Sequence, residues 1–147
     1  MPKELVVRHW IDAPVTTVWD AYITPEVFHQ WFSPEGLSIP LESVVIEPFV
    51  GGRFECVMVF DDTGVEGPNM GTVLEIEPPH KIVGGELIGD GFRSTWSLSG
   101  EGDGTLITVV QVGLPDEVVD NPEVLAAFRS SYYKLGRVLN VKTEDRN

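Results

Sequence analysis

Cysteine is nearly missing from this 147-residue chain: Cys56 is the only one. An internal disulfide is excluded, and a lone thiol inside the strand-like run Arg53–Phe60 is expected to be buried and unreactive in a reducing compartment. Positive charge is scarce as well. Ten Lys and Arg stand against 23 Asp and Glu, for a formal net charge of −13. That lies outside the magnitude of about 2–8 usual for a small soluble domain. The basic residues are scattered from Lys3 to Arg146 without a stripe, so phosphate backbones and anionic membranes make poor partners. Solubility is the simplest role for the charge.

Long apolar runs are missing too. Nothing approaches the roughly 20 residues of a membrane helix. Met1 to Arg8 contains no apolar core of signal-peptide length, and the chain is expected in the cytoplasm. No Gly-x-Ser-x-Gly elbow, phosphate loop or dinucleotide fingerprint occurs. His9, His29 and His80 lack metal-ligand spacing. No cofactor or metal is expected from these residues. His29 and His80 are expected to face solvent. His9, on the inner face of the first strand with no Cys, Asp or Glu beside it in sequence, is expected in the core. Gly51-Gly52 could cradle an anion, although a tight turn explains it with less. Glu75 and Glu86 lie in strands; either could serve as an acid if it pointed inward with a raised pKa, but solvation is the default for strand carboxylates.

A 42% hydrophobic content and 22% charged residues indicate one folded domain over residues 1–147. Its organising stretch runs from Pro122 to Val141. Leu125, Phe128, Tyr132, Leu135 and Leu139 recur there at alternating spacings of three and four, an apolar stripe along an α-helix. Asn121 suits the N-cap, Pro122 the first turn and Glu123 the positive end of the helix dipole; Lys134, Arg137 and Lys142 fall towards the other end. The residues after Val141 are expected to fray.

Upstream, strands dominate. Leu5–Asp12 reads as the first. Val15, Val18, Trp19 and Tyr22 then have helical spacing, and Thr24-Pro25 opens a second short helix carrying Phe28, Trp31 and Phe32. Six further strands follow at Leu41–Phe49, Arg53–Phe60, Met70–Glu77, Lys81–Ile88, Phe92–Ser99 and Thr105–Val112, separated by Gly, Pro and Asp turns. The fold class expected is α+β: a seven-stranded antiparallel sheet with two short helices after the first strand, lying against the long C-terminal helix. Alternation places Phe54, Cys56, Met58 and Phe60 on one face; Ser94, Trp96 and Leu98 share a face, as do Ile107, Val109 and Gln111. The gap between sheet and helix is then mostly apolar, with Gln111 and the Tyr132 hydroxyl as the notable polar groups. In a packed core these find each other or a water. In a cavity they orient a ligand. Val57, Val59, Leu106, Val110 and Val112 lie on the opposite face, a pattern that would suit a homodimer.

Asp12-Ala13-Pro14, Val18-Trp19-Asp20-Ala21, Trp31 before Pro34, Gly51-Gly52-Arg53-Phe54, Gly71 to Pro79, Thr95-Trp96-Ser97-Leu98 and Gly104-Thr105 form an ordered set. Together they resemble the helix-grip superfamily of START lipid-transfer domains, birch-pollen allergens and polyketide cyclases. Within it, the chain is most similar to the C-terminal domain of the activator of heat-shock protein 90 ATPase and its bacterial homologues. The resemblance spans roughly residues 5 to 140 and implies a sheet gripping the helix around an often apolar cavity. One departure concerns the helix: Ser131-Tyr132-Tyr133 occupies the region where that family usually carries a Gly-Trp pair.

Three functions follow as expectations. The first is non-enzymatic binding of a hydrophobic, lipid-like small molecule by Trp31, Phe54, Met58, Trp96, Gln111, Phe128 and Tyr132. The second is a cyclase- or hydrolase-like enzyme using the same cavity, which requires an inward carboxylate or histidine. The third is a module regulating a chaperone ATPase through an outer surface, against which the acidity of such chaperones would slow encounter.

Overall fold

The computed structural model describes residues 3–85 and 91–146. Strand β1 (Leu5–Ile11) leads into helices α1 (Val15–Ile23) and α2 (Pro25–Trp31). Strands β2 (Leu37–Ser38) and β3 (Val45–Ile46) flank a turn of 3-10 helix, Leu41–Ser43. There follow β4 (Arg53–Phe60), β5 (Glu66–Glu77), β6 (Lys81–Gly85), β7 (Arg93–Glu101) and β8 (Gly104–Val112). A short α3 (Asp116–Val119), the long α4 (Pro122–Leu139) and β9 (Thr143–Arg146) complete the order. The sheet runs β2-β4-β5-β6-β7-β8-β1-β9, with β3 also pairing β4. Its pairings are antiparallel.

The α+β class and antiparallel sheet agree with the sequence reading, but among the described residues the sheet has nine strands rather than seven, the short β2 at Leu37–Ser38 and β9 at Thr143–Arg146 being the two additions. The run Leu41–Phe49 contains Pro48 and follows Pro40, so it breaks into a helical turn and the two-residue β3 instead of one strand. The tail after Val141, expected to fray, forms β9 against β1, with His9 opposite Asp145 and Trp10 opposite Glu144. The second half of the expected strand Lys81–Ile88 lies outside the described residues, and Glu86 with it.

Local chemistry shapes α4 as its sequence implies. The Asn121 side chain accepts a hydrogen bond from the Glu123 amide at 2.9 Å, capping the helix start. At the other end Asn140 adopts a left-handed conformation (φ 59°), and its N–H bonds Arg137 and Gly136 carbonyls. A Cβ at Gly136 would overlap Thr143, so the glycine lets the chain turn back tightly into β9. On its inner face α4 meets one core: Leu135 and Tyr132 pack with Val7, Ile11, Trp31, Ile107 and Val109. Trp31 is fully buried and its indole donates to the Ala21 carbonyl at 3.0 Å. Truncating such a side chain costs about 3–5 kcal/mol.

Polar ties fix α4 to the segment after α2. Lys134 Nζ donates to the Ser33 carbonyl at 2.9 Å and to its hydroxyl at 3.0 Å, and the Ser131 hydroxyl donates to the Phe32 carbonyl at 3.0 Å. These contacts hold Phe32 and Pro34 at one wall of the space between helix and sheet. On the outer face, Val57, Val59, Leu106, Val110 and Val112 are half-buried, and the strongly exposed apolar side chains are instead Phe49, Val50, Val65 and Met70. The pattern that suggested a dimer is correspondingly smaller. Among the described residues, no helix is long and apolar enough to cross a membrane.

Candidate functional site

Sheet and α4 do not close completely on each other. Between them lies a cavity of about 450 Å³. From the helical side it is lined by Phe28 and Trp31 of α2, by Phe32 and Pro34 beyond it, and by Val124, Ala127, Phe128, Ser131 and Tyr132 of α4. The sheet contributes Phe54, Cys56 and Met58 from β4, Asn69, Met70 and Gly71 from β5, Gly84 and Gly85 from β6, Ser94 and Trp96 from β7, and Gln111 from β8. Exposed Asn69, Met70, Asn121 and Glu123 mark the mouth. Trp31 and Tyr132, 0% and 3% exposed, mark the closed end.

Alternation explains which sheet residues reach this space. On β4, Phe54, Cys56 and Met58 share the inner face, and their register partners on β5 are Gly71, Asn69 and Gly67. On the next strands Gly84 pairs with Ser94, and Ser94 with Gln111. Glycine beside Phe54, and glycine beside serine on the next strands, leave room that larger side chains would fill. The aromatic wall is continuous: ring centroids lie 5.2 Å apart for Phe54 and Trp96, 5.7 Å for Phe32 and Trp96, and 5.7 Å for Trp31 and Tyr132.

All seven residues singled out from the sequence, Trp31, Phe54, Met58, Trp96, Gln111, Phe128 and Tyr132, are brought together on this lining. Of the alternatives the sequence left open for the two polar groups, pairing with each other is not the one adopted. Gln111 and Tyr132 do not meet each other: Gln111 Nε2 donates to the Ser94 hydroxyl at 3.0 Å, while the Tyr132 hydroxyl lies 2.8 Å from that of Tyr22. Ser94 was therefore missed as a lining residue, and Tyr22, which lies behind the lining, as the partner of Tyr132. Ser94 shares the inner face of β7 with Trp96, but its pairing with Gln111 depends on the β7–β8 register, which neither strand reveals alone.

Burial pushes the Tyr132 and Tyr22 phenols above their ordinary range, so both are neutral at physiological pH. Burial also pushes the Cys56 thiol up to about 11. Among the described residues, the one carboxylate on the lining is that of Glu123, and it sits at the exposed mouth.

The model of the activator of Hsp90 ATPase homolog 1-like family matches residues 12–140. The chain belongs to this family. Solved structures agree on the fold. A protein from Chromobacterium violaceum superposes with a TM-score of 0.81 at 21% identity, covering 93% of this chain and 97% of that one. One from Rhodobacter sphaeroides gives 0.80 at 24% identity, covering 93% and 91%. One from Silicibacter pomeroyi gives 0.76 at 19% identity, covering 94% and 98%. At such identities the likeness shows the fold alone. No curated protein matches the chain significantly.

The remaining sequence candidates fall away from the cavity of this Hsp90 ATPase activator homolog 1-like domain. Glu75 is exposed and lies 3.8 Å from Lys81, so its strand position does not make it an inward acid. Gly51 and Gly52 spend their N–H groups on the Val73 and Phe49 carbonyls, both at 2.8 Å, leaving no anion cradle there. His80 is exposed, whereas His29 is half-buried and within 3.1 Å of the Ile39 carbonyl, contrary to the solvent-facing expectation. His9 is in the core, but it has an acidic neighbour after all, since β9 brings Asp145 alongside. Among the described residues no three His, Cys, Asp or Glu side chains are grouped as a metal ion would need.

Proposed function

We propose that this domain binds a small hydrophobic molecule in the cavity between sheet and α4, without chemical conversion. The observation that carries the reading is an aromatic-walled space of about 450 Å³ inside an otherwise packed interior. Ligand pockets occupy about 300–1,000 Å³ and combine apolar walls with a few placed polar groups. Trp31, Phe54, Met58, Trp96 and Phe128 supply the walls, Gln111 and Tyr132 the polar groups. Side chains lining unfilled space lack partner atoms on one side, and an apolar guest restores those dispersion contacts.

Binding is favoured over the cyclase- or hydrolase-like alternative by the titratable groups available. Acid–base catalysis wants a group poised near the working pH. Among the described residues the lining offers two neutral buried groups, Cys56 and Tyr132, and a carboxylate at the mouth. The buried single thiol also fits a reducing compartment such as the cytoplasm.

The test uses N-phenyl-1-naphthylamine, a neutral probe whose fluorescence rises in apolar surroundings. Wild-type protein should bind it saturably. Trp96→Ala and Tyr132→Ala should lose that binding while retaining a cooperative thermal transition. Equal binding by all three proteins would remove the site as drawn.

The family description supports a second reading, regulation of an Hsp90-type ATPase through a surface outside the cavity. A change in the ATPase rate of purified chaperone on adding this protein, unaltered in Trp96→Ala, is the result that reading requires.

A further inference from the structure

Tyr22 of α1 and Tyr132 of α4 meet hydroxyl to hydroxyl at 2.8 Å, and their exposures are 1% and 3%. Two phenols bring two protons, and the bond between them uses one. Among the described residues neither hydroxyl has another hydrogen-bond partner. Tyr22 does not line the cavity. Were its proton directed anywhere except at Tyr132, it would be buried and unpaired, the arrangement folded proteins avoid. Tyr22 therefore donates and Tyr132 accepts. The proton left over is that of Tyr132, which does line the cavity. Because burial keeps both phenols protonated, this group is a hydrogen-bond donor and not a phenolate.

A second polar point lies one inward position along β7 from Trp96, about 7 Å away along the strand. There Ser94 and Gln111 bond each other. Whichever way the amide is turned, the pair keeps at least one donor and one acceptor unused, and both residues line the cavity. Charge is treated differently. The described lining contains no Lys, Arg or His, and its single ionised side chain is Glu123 at the mouth. A carboxylate or phosphate drawn inside would lose its water without gaining a counter-charge. Shape adds a third constraint: Gly71 and Gly84 leave stretches of the sheet floor without side chains, in a lining that also holds the rings of Trp31, Phe54, Trp96 and Phe128.

We infer that the ligand is an uncharged, flat aromatic molecule whose carbonyl oxygen accepts the hydrogen bond of Tyr132 at the closed end of the cavity. This rests on the cavity-binding reading above and narrows it against fatty acids and other anionic lipids.

Three matched probes separate the ideas: fluorene, 9-fluorenone and fluorene-9-carboxylate, titrated by tryptophan quenching. The ketone should bind wild-type protein about fivefold to tenfold more tightly than the hydrocarbon, and the carboxylate most weakly. Tyr132→Phe should bring ketone and hydrocarbon level while keeping the affinity for fluorene, which reports an intact cavity. Tyr22→Phe should retain the ketone preference, because Tyr132 still donates. A direct readout needs no variant: the carbonyl stretch of bound 9-fluorenone should fall to lower frequency than in hydrocarbon solvent. Equal affinity for ketone and hydrocarbon, an unshifted stretch, or strongest binding of the carboxylate overturns this inference and leaves cavity binding standing. A preference that grows in Tyr22→Phe also overturns it, since Tyr132 would then have been donating to Tyr22. Failure of both neutral probes to bind overturns the cavity reading itself.

Discussion

Nδ1 of His9 lies 3.1 Å from Oδ1 of Asp145, its register partner across the β1–β9 pair, without the alignment of a hydrogen bond. The imidazole is fully buried, stacked on Tyr132 with ring centroids 5.5 Å apart and edge-on to Tyr133 at 5.0 Å. Arg129 of α4 shares the same carboxylate at 3.6 Å. Burial lowers the His9 pKa from 6.5, against the opposing pull of Asp145; the cations Arg129 and Arg146 lower it further.

A pH dependence follows from that depression. When the folded value is lowered, the unfolded chain takes up a proton before the folded chain does. The stability contributed by neutral His9 is therefore complete above about pH 6.5 and is lost as pH falls through the lowered folded value. Thermal melts between pH 7.5 and 5.5 should show a steeper loss for wild type than for His9→Gln. Parallel curves would show that another group governs the slope.

Gly136 tests how closely α4 and β9 are joined. In an open helix interior, Gly→Ala stabilises by roughly 1 kcal/mol. Here the added methyl would overlap Thr143 Cγ2 and approach the Val141 carbonyl to 3.2 Å. Gly136→Ala should therefore destabilise, by about 1–3 kcal/mol in denaturant unfolding. In a Thr143→Ala background the same change should cost at least about 1 kcal/mol less. An equal cost in both backgrounds would place the strain elsewhere.

Gly84 separates filling the cavity from damaging the fold. Its nearest heavy atom to an added Cβ is the Thr72 carbonyl oxygen at 4.0 Å, and it pairs with inward-facing Ser94. Glycine also weakens a strand interior. Gly84→Leu should keep or raise the melting temperature while lowering affinity for N-phenyl-1-naphthylamine at least tenfold, the loss expected when about 1.4 kcal/mol of contact is replaced by the protein's own atoms. Unchanged affinity would exclude the floor of β6 from the occupied space.

Cys56 should be slow to alkylate. A rise from 9.0 to about 11 cuts its thiolate fraction at pH 8 about a hundredfold. Iodoacetamide labelling of native protein should lag a free cysteine by at least that factor and recover in denaturant. Fast native labelling would mean that the cavity opens widely in solution.

Much of this was written along the chain, because helix and strand periods are local. The stripe from Leu125 to Leu139, the Asn121 cap and the alternation of Phe54, Cys56 and Met58 follow from spacing and side-chain chemistry over a few residues. They were enough to place seven side chains around a common gap. Partnership was not local. Whether Tyr132 meets Gln111 or Tyr22, and whether Ser94 faces Gln111, depends on registers and crossings between elements up to 110 residues apart. The tail shows the same limit most plainly. Thr143 to Arg146 are charged and polar enough to look unstructured, yet the β1 edge lies where the turn at Gly136 and Asn140 delivers them. Unpaired backbone groups on that edge hold the tail in place, and no single stretch of sequence carries their position.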